Sequence, residues 1–156
     1  ISIVRREIPA FRMRYVNISA LSGGGLGTAE HRVLHHEFQD YFTANRPVRI
    51  NFHGYPQTIK QILFDYGCES SRFTVHGYEE SGSTTTAFDM MVRNRVDRFN
   101  LAMGAFALAE DQAVISAQEA KRLRELYEEK LRLHRAYIIE HGDDPQDITN
   151  WIWQSR

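Results

Sequence analysis

Val48-Arg49-Ile50-Asn51-Phe52-His53-Gly54-Tyr55-Pro56 and, further along, Phe73-Thr74-Val75-His76-Gly77-Tyr78 are the two stretches that decide the fold. Each is a short β-branched and aromatic run that stops at His-Gly-Tyr, which is the form of a buried strand closed by a turn. Between them Ile59, Ile62, Leu63 and Tyr66 recur at helical spacing until Gly67 ends the run. Strand, helix and strand with short connections predict a parallel βαβ crossover, because parallel strands need a long connection that a helix supplies. Parallel strands end on one edge, so both His-Gly-Tyr triplets are expected there.

Working upstream, Phe11–Ile18 alternates apolar and polar residues behind Pro9 and predicts a further strand. Ser22-Gly23-Gly24-Gly25-Leu26-Gly27 reads as a flexible loop, since four glycines cost too much backbone entropy inside an element. From Glu30 to Ala44, Val33, Leu34, Phe38, Tyr41 and Phe42 share one helical face, and Asn45-Arg46-Pro47 stops that helix.

Downstream of residue 80 the pattern is helical. Thr86 to Asp89 predicts a cap for a short helix, Asn94 to Asp97 a cap for a helix carrying Phe99, Ala102 and Phe106, and Ser116 to Glu119 a capping box. Beyond it Ala120, Leu123, Tyr127, Leu131, His134 and Ile138 keep three- and four-residue spacing to His141-Gly142. That helix is roughly 35–40 Å long at 1.5 Å per residue. Asp144-Pro145 opens a last turn with proline at its first helical position, and Trp151 and Trp153 are expected to dock on a surface.

The 156 residues, with 42% hydrophobic and 25% charged content, suit one soluble domain, 1–156, with a real core. A net charge of −1 supplies no basic field to attract nucleic acid or an anionic membrane. A single cysteine, Cys68, excludes an intrachain disulfide and a cysteine-rich metal site, which fits a reducing cytoplasm. No apolar run approaches the roughly 20 residues of a membrane span. The first residues lack signal-peptide order, and a start without methionine points to a piece of something longer.

Ligands of open α/β sheets bind beyond the carboxyl ends of the strands. The candidate binding or interface residues are therefore His53, Gly54, Tyr55, His76, Gly77 and Tyr78, and the loop that follows, Glu79, Glu80, Thr84, Thr85 and Thr86, with Asp89, Arg93 and Arg98 beyond it. Hydroxyls beside a helix start suit an anion, whereas Glu79 and Glu80 repel one unless Arg93 or Arg98 neutralises them. Two readings stand side by side, an architectural or interface loop and a small-molecule or phosphate site, the latter making the domain a regulatory module for a nucleotide or phosphate effector. His31 and His35 have metal-ligand spacing on a helix but no third ligand, so no metal site is expected. The glycine stretch lacks dinucleotide and phosphate-loop spacing, Cys68 has no basic neighbour in sequence, and His134 falls on a packed apolar stripe.

Phe52-His53-Gly54-Tyr55-Pro56, then Val75-His76-Gly77-Tyr78-Glu79-Glu80 through Gly82-Ser83-Thr84-Thr85-Thr86-Ala87-Phe88-Asp89-Met90, closely resembles the C-terminal domain of the phosphoketolases. Asn94–Phe99, Glu140–Asp144 and Trp151-Ile152-Trp153 are similar to the same family's terminal region, so the resemblance runs from about Phe11 to Trp153. It implies an α/β fold, a three-layer αβα domain with a mainly parallel sheet like the transketolase C-terminal domain, and a helical second half. It also implies a cytoplasmic thiamine-diphosphate and Mg²⁺ enzyme that cleaves xylulose 5-phosphate, and often fructose 6-phosphate, with inorganic phosphate to acetyl phosphate and an aldose phosphate. In that family the cofactor lies between the two N-terminal domains of a homodimer. This chain then partners the catalytic N-terminal domains and binds no cofactor itself, because no residue matches the family's pyrophosphate motif, activating glutamate or catalytic histidines. The family's C-terminal domain also begins with a strand and helix not found before Ile1, of which Ile1–Ile8 would be the tail. A strand left beside that gap exposes backbone groups, so the isolated chain is expected to associate or lose stability; a cooperative, dilution-insensitive monomer in ultracentrifugation would count against this.

Overall fold

The computed structural model describes residues 1–22, 25–67, 70–80, 82 and 84–152. In chain order the elements are α1 (Ser2–Glu7), β1 (Leu21–Ser22), β2 (Gly25–Leu26), α2 (His35–Phe42), β3 (Val48–Phe52), α3 (Pro56–Asp65), a 3₁₀ turn (Ser70–Arg72) and β4 (Phe73–Gly77). The helical half follows as α4 (Ala87–Arg93), α5 (Arg98–Asp111), α6 (Ala117–His141) and α7 (Gln146–Thr149). The chain is mixed α/β and divides into two compact units, Arg14–Glu79 and the helical unit of Ile1–Met13 with Glu80–Arg156.

In the first of these, β3 and β4 pair in parallel with Val48 opposite Phe73 and Phe52 opposite Gly77. Helix α3 makes the crossover, starting at Pro56, where a missing N–H costs nothing, and burying Ile59, Ile62 and Leu63. With Leu26, Phe38, Phe42 and Tyr66 these form one cluster, onto which Val48, Ile50, Phe73 and Val75 of the strands pack. The βαβ expectation holds to the residue at β3 and at the start of β4.

Three expectations in this unit are corrected. No strand forms over Phe11–Ile18: Val16, Ile18 and Ala20 are half-buried and Tyr15, Asn17 and Ser19 exposed, so the strand-like alternation survives. A ladder requires a neighbour, and the run is divided, Phe11 packing in the helical cluster and Val16 and Ile18 in the βαβ cluster. The glycine stretch is a hairpin rather than a loop, Leu21 facing Leu26 and Ser22 facing Gly25, with Gly23 and Gly24 outside the described residues. Finally, α2 begins at His35 rather than Glu30, so His31 and His35 do not share a helical face. The Glu37 carboxylate accepts the Leu34 N–H at 2.8 Å and fixes that start.

The end of α2 is held by arginines from elsewhere in the unit. Arg72 donates to the carbonyls of Phe42 (3.0 Å), Thr43 (2.8 Å) and Arg46 (2.7 Å), and Arg14 donates to those of Asp40 and Tyr41. Helix C-termini leave four carbonyls without intrahelical partners, and a guanidinium fork satisfies several at once.

The helical unit is built on α5 and α6. Phe99, Ala102, Phe106 and Ala109 of α5 and Ala120, Leu123 and Tyr127 of α6 are buried, and alanines at the contact let the helices approach closely. Caps stand at the anticipated places. Asp97 accepts the N–H groups of Phe99 (2.8 Å) and Asn100 (3.0 Å), the Ser116 hydroxyl accepts the Glu119 N–H (3.2 Å), and Gly142 closes α6 with φ +73°. In the last turn Pro145 is the N-cap, one position before the helix proper. Trp151 rests against the Arg98 guanidinium, 5.3 Å from ring centre to Cζ, while Trp153 and Cys68 lie outside the described residues.

Helix α1 joins this unit through Tyr127, whose hydroxyl donates to Glu7 (2.8 Å) and accepts from Arg6 (2.8 Å). Burial, reinforced by the Glu7 carboxylate, pushes the Tyr127 phenol up to about 12. The folded value exceeds the unfolded one near 10, so the stability this provides is present below about pH 10 and lost as pH rises through about 12. Tyr127→Phe is expected to remove the loss of thermal stability between pH 10 and 12, measured by calorimetry across that range.

Candidate functional site

The parallel register places His53 and Tyr78 just beyond the paired ends of β3 and β4, where Tyr78 N–H still bonds the Phe52 carbonyl at 2.9 Å. Their rings stack with centroids 5.0 Å apart and planes at 11°. The two His-Gly-Tyr triplets, alike in sequence, are offset by two residues in space. His76 lies within β4 opposite Asn51, so the first triplet's histidine meets the second triplet's tyrosine. Tyr55 caps α3 and is 68% exposed. Gly77 is required here, because a Cβ would meet the Gly54 carbonyl oxygen and the Pro56 ring at 2.5 Å. The backbones of the two turns therefore touch at the strand ends.

Glu79 closes that unit, and Glu80 opens the helical one. There Thr85, Thr86, Asp89 and Arg93 belong to a polar network whose centre is Asp144, a residue outside the sequence-predicted candidates. One Asp144 oxygen accepts from the Thr86 hydroxyl at 2.6 Å and lies 2.7 Å from His134 Nε2; the other accepts the Phe88 N–H at 3.1 Å. The Thr86 hydroxyl in turn accepts the Asp89 N–H at 3.2 Å. Asp89 accepts from the Thr85 hydroxyl at 2.6 Å and from Arg93 Nε at 2.7 Å. Asp89 and His134 are buried, and the Asp144 side chain is 7% exposed.

Burial raises both carboxyls, but hydrogen bonding outweighs it. Thr86, His134 and the Phe88 N–H hold Asp144 below the usual carboxylate range, and Thr85 and Arg93 do the same for Asp89. His134, anticipated as packed, is packed, with Phe88 edge-on at 5.0 Å and Asp144 at its Nε2. The network thus ties α6, the turn after it and the start of α4 into one piece, and fixes the C-terminal anchor of the Thr84–Thr86 segment.

Arg98 is placed differently. Its guanidinium lies 5.0–5.3 Å from the ring centres of Phe99, Phe88 and Trp151 and donates to the Asp147 carbonyl at 3.3 Å. Burial lowers its pKa, with Asp147 and Asp97 opposing the shift. The signal that could have found Asp144 is its spacing of ten from His134 across the glycine stop of α6, which lets a returning chain fold back on the helix.

Chemically, the two carboxylates and the Thr86 hydroxyl are committed to hydrogen bonds that hold backbone and side chains in place. Among the described residues no group of three His, Cys, Asp or Glu side chains is arranged to hold a metal ion.

Comparison with known proteins adds the following. A family model described as the XFP C-terminal domain matches residues 1–153. The chain is 38% identical over 154 residues to a probable phosphoketolase of Brucella abortus, covering 98% of this chain and 19% of that protein. It is 36% identical to a probable phosphoketolase 2 of Rhizobium meliloti and 33% identical to a probable phosphoketolase of Gloeobacter violaceus, each over 154 residues with the same 98% and 19% coverage. The chain thus spans about a fifth of the length of the curated relatives it matches.

Proposed function

The chain belongs to the phosphoketolase C-terminal domain family, and from that premise we propose that it is the terminal domain of a thiamine-diphosphate- and Mg²⁺-dependent enzyme. That enzyme cleaves xylulose 5-phosphate and/or fructose 6-phosphate with inorganic phosphate to give acetyl phosphate and an aldose phosphate. The observation that carries the reading is the family match over residues 1–153, together with relatives named phosphoketolase at 38% identity along nearly the whole chain.

Among the described residues, the buried carboxylates Asp89 and Asp144 do not fit the cofactor's cation. A diphosphate-bound cation needs free oxygen ligands, whereas Asp89 and Asp144 are taken up by Thr85, Arg93, Thr86, His134 and the Phe88 N–H. Cofactor and catalytic groups belong to the preceding domains, with which this one packs in a cytoplasmic homodimer. No helix among the described residues is long and apolar enough to cross a membrane. We read both compact units as one domain, a reading supported by the single family model that runs through both. The parallel β3–β4 pair with its crossover helix supports a three-layer αβα arrangement with a mainly parallel sheet. In this reading His53, Tyr55 and Tyr78, at the strand ends of the βαβ unit, face the catalytic domains.

The test is an assay of acetyl phosphate as its hydroxamate. The full-length protein, supplied with xylulose 5-phosphate, phosphate, thiamine diphosphate and Mg²⁺, is expected to form it, and the 156-residue chain alone to form none. Turnover by the chain alone, or none by the full-length protein, would overturn the proposal.

A further inference from the structure

We infer that the Asp144–Pro145 peptide bond is a masked self-cleavage site, cut by the Asp144 carboxyl when its contacts with Thr86, His134 and the Phe88 N–H are released. Of the four prolines, only Pro145 follows an aspartate. Its nitrogen carries no hydrogen and belongs to a tertiary amide, which leaves more readily once protonated than the nitrogen of an ordinary peptide bond. Aspartate has the right reach to attack, since its side chain closes a five-membered ring on its own carbonyl carbon. The step balances with water alone. A carboxyl oxygen bonds to the Asp144 carbonyl carbon, the bond from that carbon to the Pro145 nitrogen breaks, and the carboxyl proton passes to that nitrogen. Water then opens the cyclic anhydride, leaving two carboxyl groups on Asp144 and a free amine on Pro145.

In the folded unit the carboxyl is held away from that reaction. One oxygen accepts from the Thr86 hydroxyl at 2.6 Å and lies 2.7 Å from His134 Nε2, and the other accepts the Phe88 N–H at 3.1 Å. These partners stand on α6 and at the start of α4, so turning an oxygen onto its own carbonyl requires breaking them. The side chain is 7% exposed, which keeps out the water that completes the cut. Both flanks of the bond are fixed as well. The Asp144 N–H donates to the Asp143 carboxylate at 2.7 Å, and the Pro145 carbonyl accepts from the Ile148 and Thr149 N–H groups at 2.9 and 3.1 Å.

Among the titratable and charged groups around it, His134 faces the carboxyl from α6. Asp89 of α4, paired with Arg93, interacts with His134, and α7 brings Asp147 toward Arg98. Hydrogen bonding keeps the Asp144 carboxyl ionised below the usual carboxylate range. Acid that protonates it supplies the proton for Pro145 and weakens the contacts that restrain it, so arming and release coincide. The cut matters to the whole unit, because Ile148 of the core and Trp151, seated on Arg98, both follow it in the chain. A helical unit that opens in acid and is cut there does not regain those contacts as one chain, which turns a reversible opening into a permanent one.

The experiment incubates the full-length protein at the lowest pH at which it keeps its helical circular dichroism, beside the same protein in urea at that pH. Mass spectrometry follows the peptide that begins at Pro145. In urea, cleavage is expected for the wild type and lost in Asp144→Asn; no cleavage in the wild type, or cleavage that persists in Asp144→Asn, would overturn the inference. Without urea the wild type should cleave at under about a tenth of its urea rate. Thr86→Val, similar in volume but without a hydroxyl to donate, should cleave about ten times faster than the wild type, the rise in open population expected from losing one hydrogen bond to a carboxylate. His134→Leu removes the other partner of the same oxygen and is expected to act in the same direction, which keeps the test decisive if one variant fails to fold. Leu123→Val weakens the same unit through its core and leaves the network whole, so it should cleave at the wild-type rate. Equal rates with and without urea, no acceleration in a folded network variant, or equal acceleration in Leu123→Val would each overturn the inference.

Discussion

Asp144→Ala is expected to lower the stability of the helical unit by about 3–5 kcal/mol, the range found when one partner of a buried polar pair is removed. The change strips acceptors from the Thr86 hydroxyl, His134 Nε2 and the Phe88 N–H together. Each group left buried without a partner costs about 1–3 kcal/mol. Asp144→Asn keeps one acceptor oxygen at similar volume and should lose about half as much, because only one hydrogen-bonding edge is sacrificed. Urea unfolding followed by helical circular dichroism measures both, as shifts in midpoint at constant slope. A change below about 1 kcal/mol for alanine would show that the network contributes little, and equal losses for the two variants would show that the retained amide oxygen rescues nothing.

The same carboxylates set an acid limit. Asp144 and Asp89 have folded pKa values below their unfolded ones. Their stabilisation is therefore complete above an unfolded value of about 4 and disappears as pH falls through the lower folded values. Unfolding free energy should decline with acid in that window, and the slope should be shallower in Asp144→Ala, which has one such group fewer.

Gly77→Ala is expected to cost about 3 kcal/mol or more, at the upper end of overpacking, because the obstruction is backbone. The added methyl would meet the Gly54 carbonyl oxygen, and the Pro56 ring carbons at 2.5 and 2.8 Å. Gly54 is itself constrained, with φ +151° and the Phe52 ring 2.8 Å from where its Cβ would stand. Neither turn can retreat without parting the ends of β3 and β4. The His53–Tyr78 stack should open with them, seen as a change in the His53 ring resonances. Gly67→Ala and Gly142→Ala are useful contrasts, since a Cβ there meets nothing within 4 Å and the cost is confined to positive φ. By that reasoning they should cost about 1–2 kcal/mol each.

What could be read from the sequence was set over short distances along the chain. The crossover β3–α3–β4, the caps at Thr86, Asp97 and Ser116 and the stop at Gly142 follow from residues within one or two turns of one another. Periodicity and capping chemistry act over that range, so they survive in the sequence as pattern. The candidate residues Thr85, Thr86, Asp89 and Arg93 were legible for the same reason, being neighbours at a helix start. Their use was not, because Asp144 reaches Thr86 across 58 positions.

Tertiary structure alone decided the rest. It denied Phe11–Ile18 a ladder, since alternation shows that a segment is extended but a strand exists only where another backbone lies alongside. It brought Arg72 to the carbonyls at the end of α2, and it offset the two His-Gly-Tyr triplets so that His53 stacks on Tyr78 instead of standing beside His76. Each of these depends on which distant segments close onto one another. Loop closure depends on chain entropy and on the shape of the buried surface, and neither is written in the spacing of neighbouring residues.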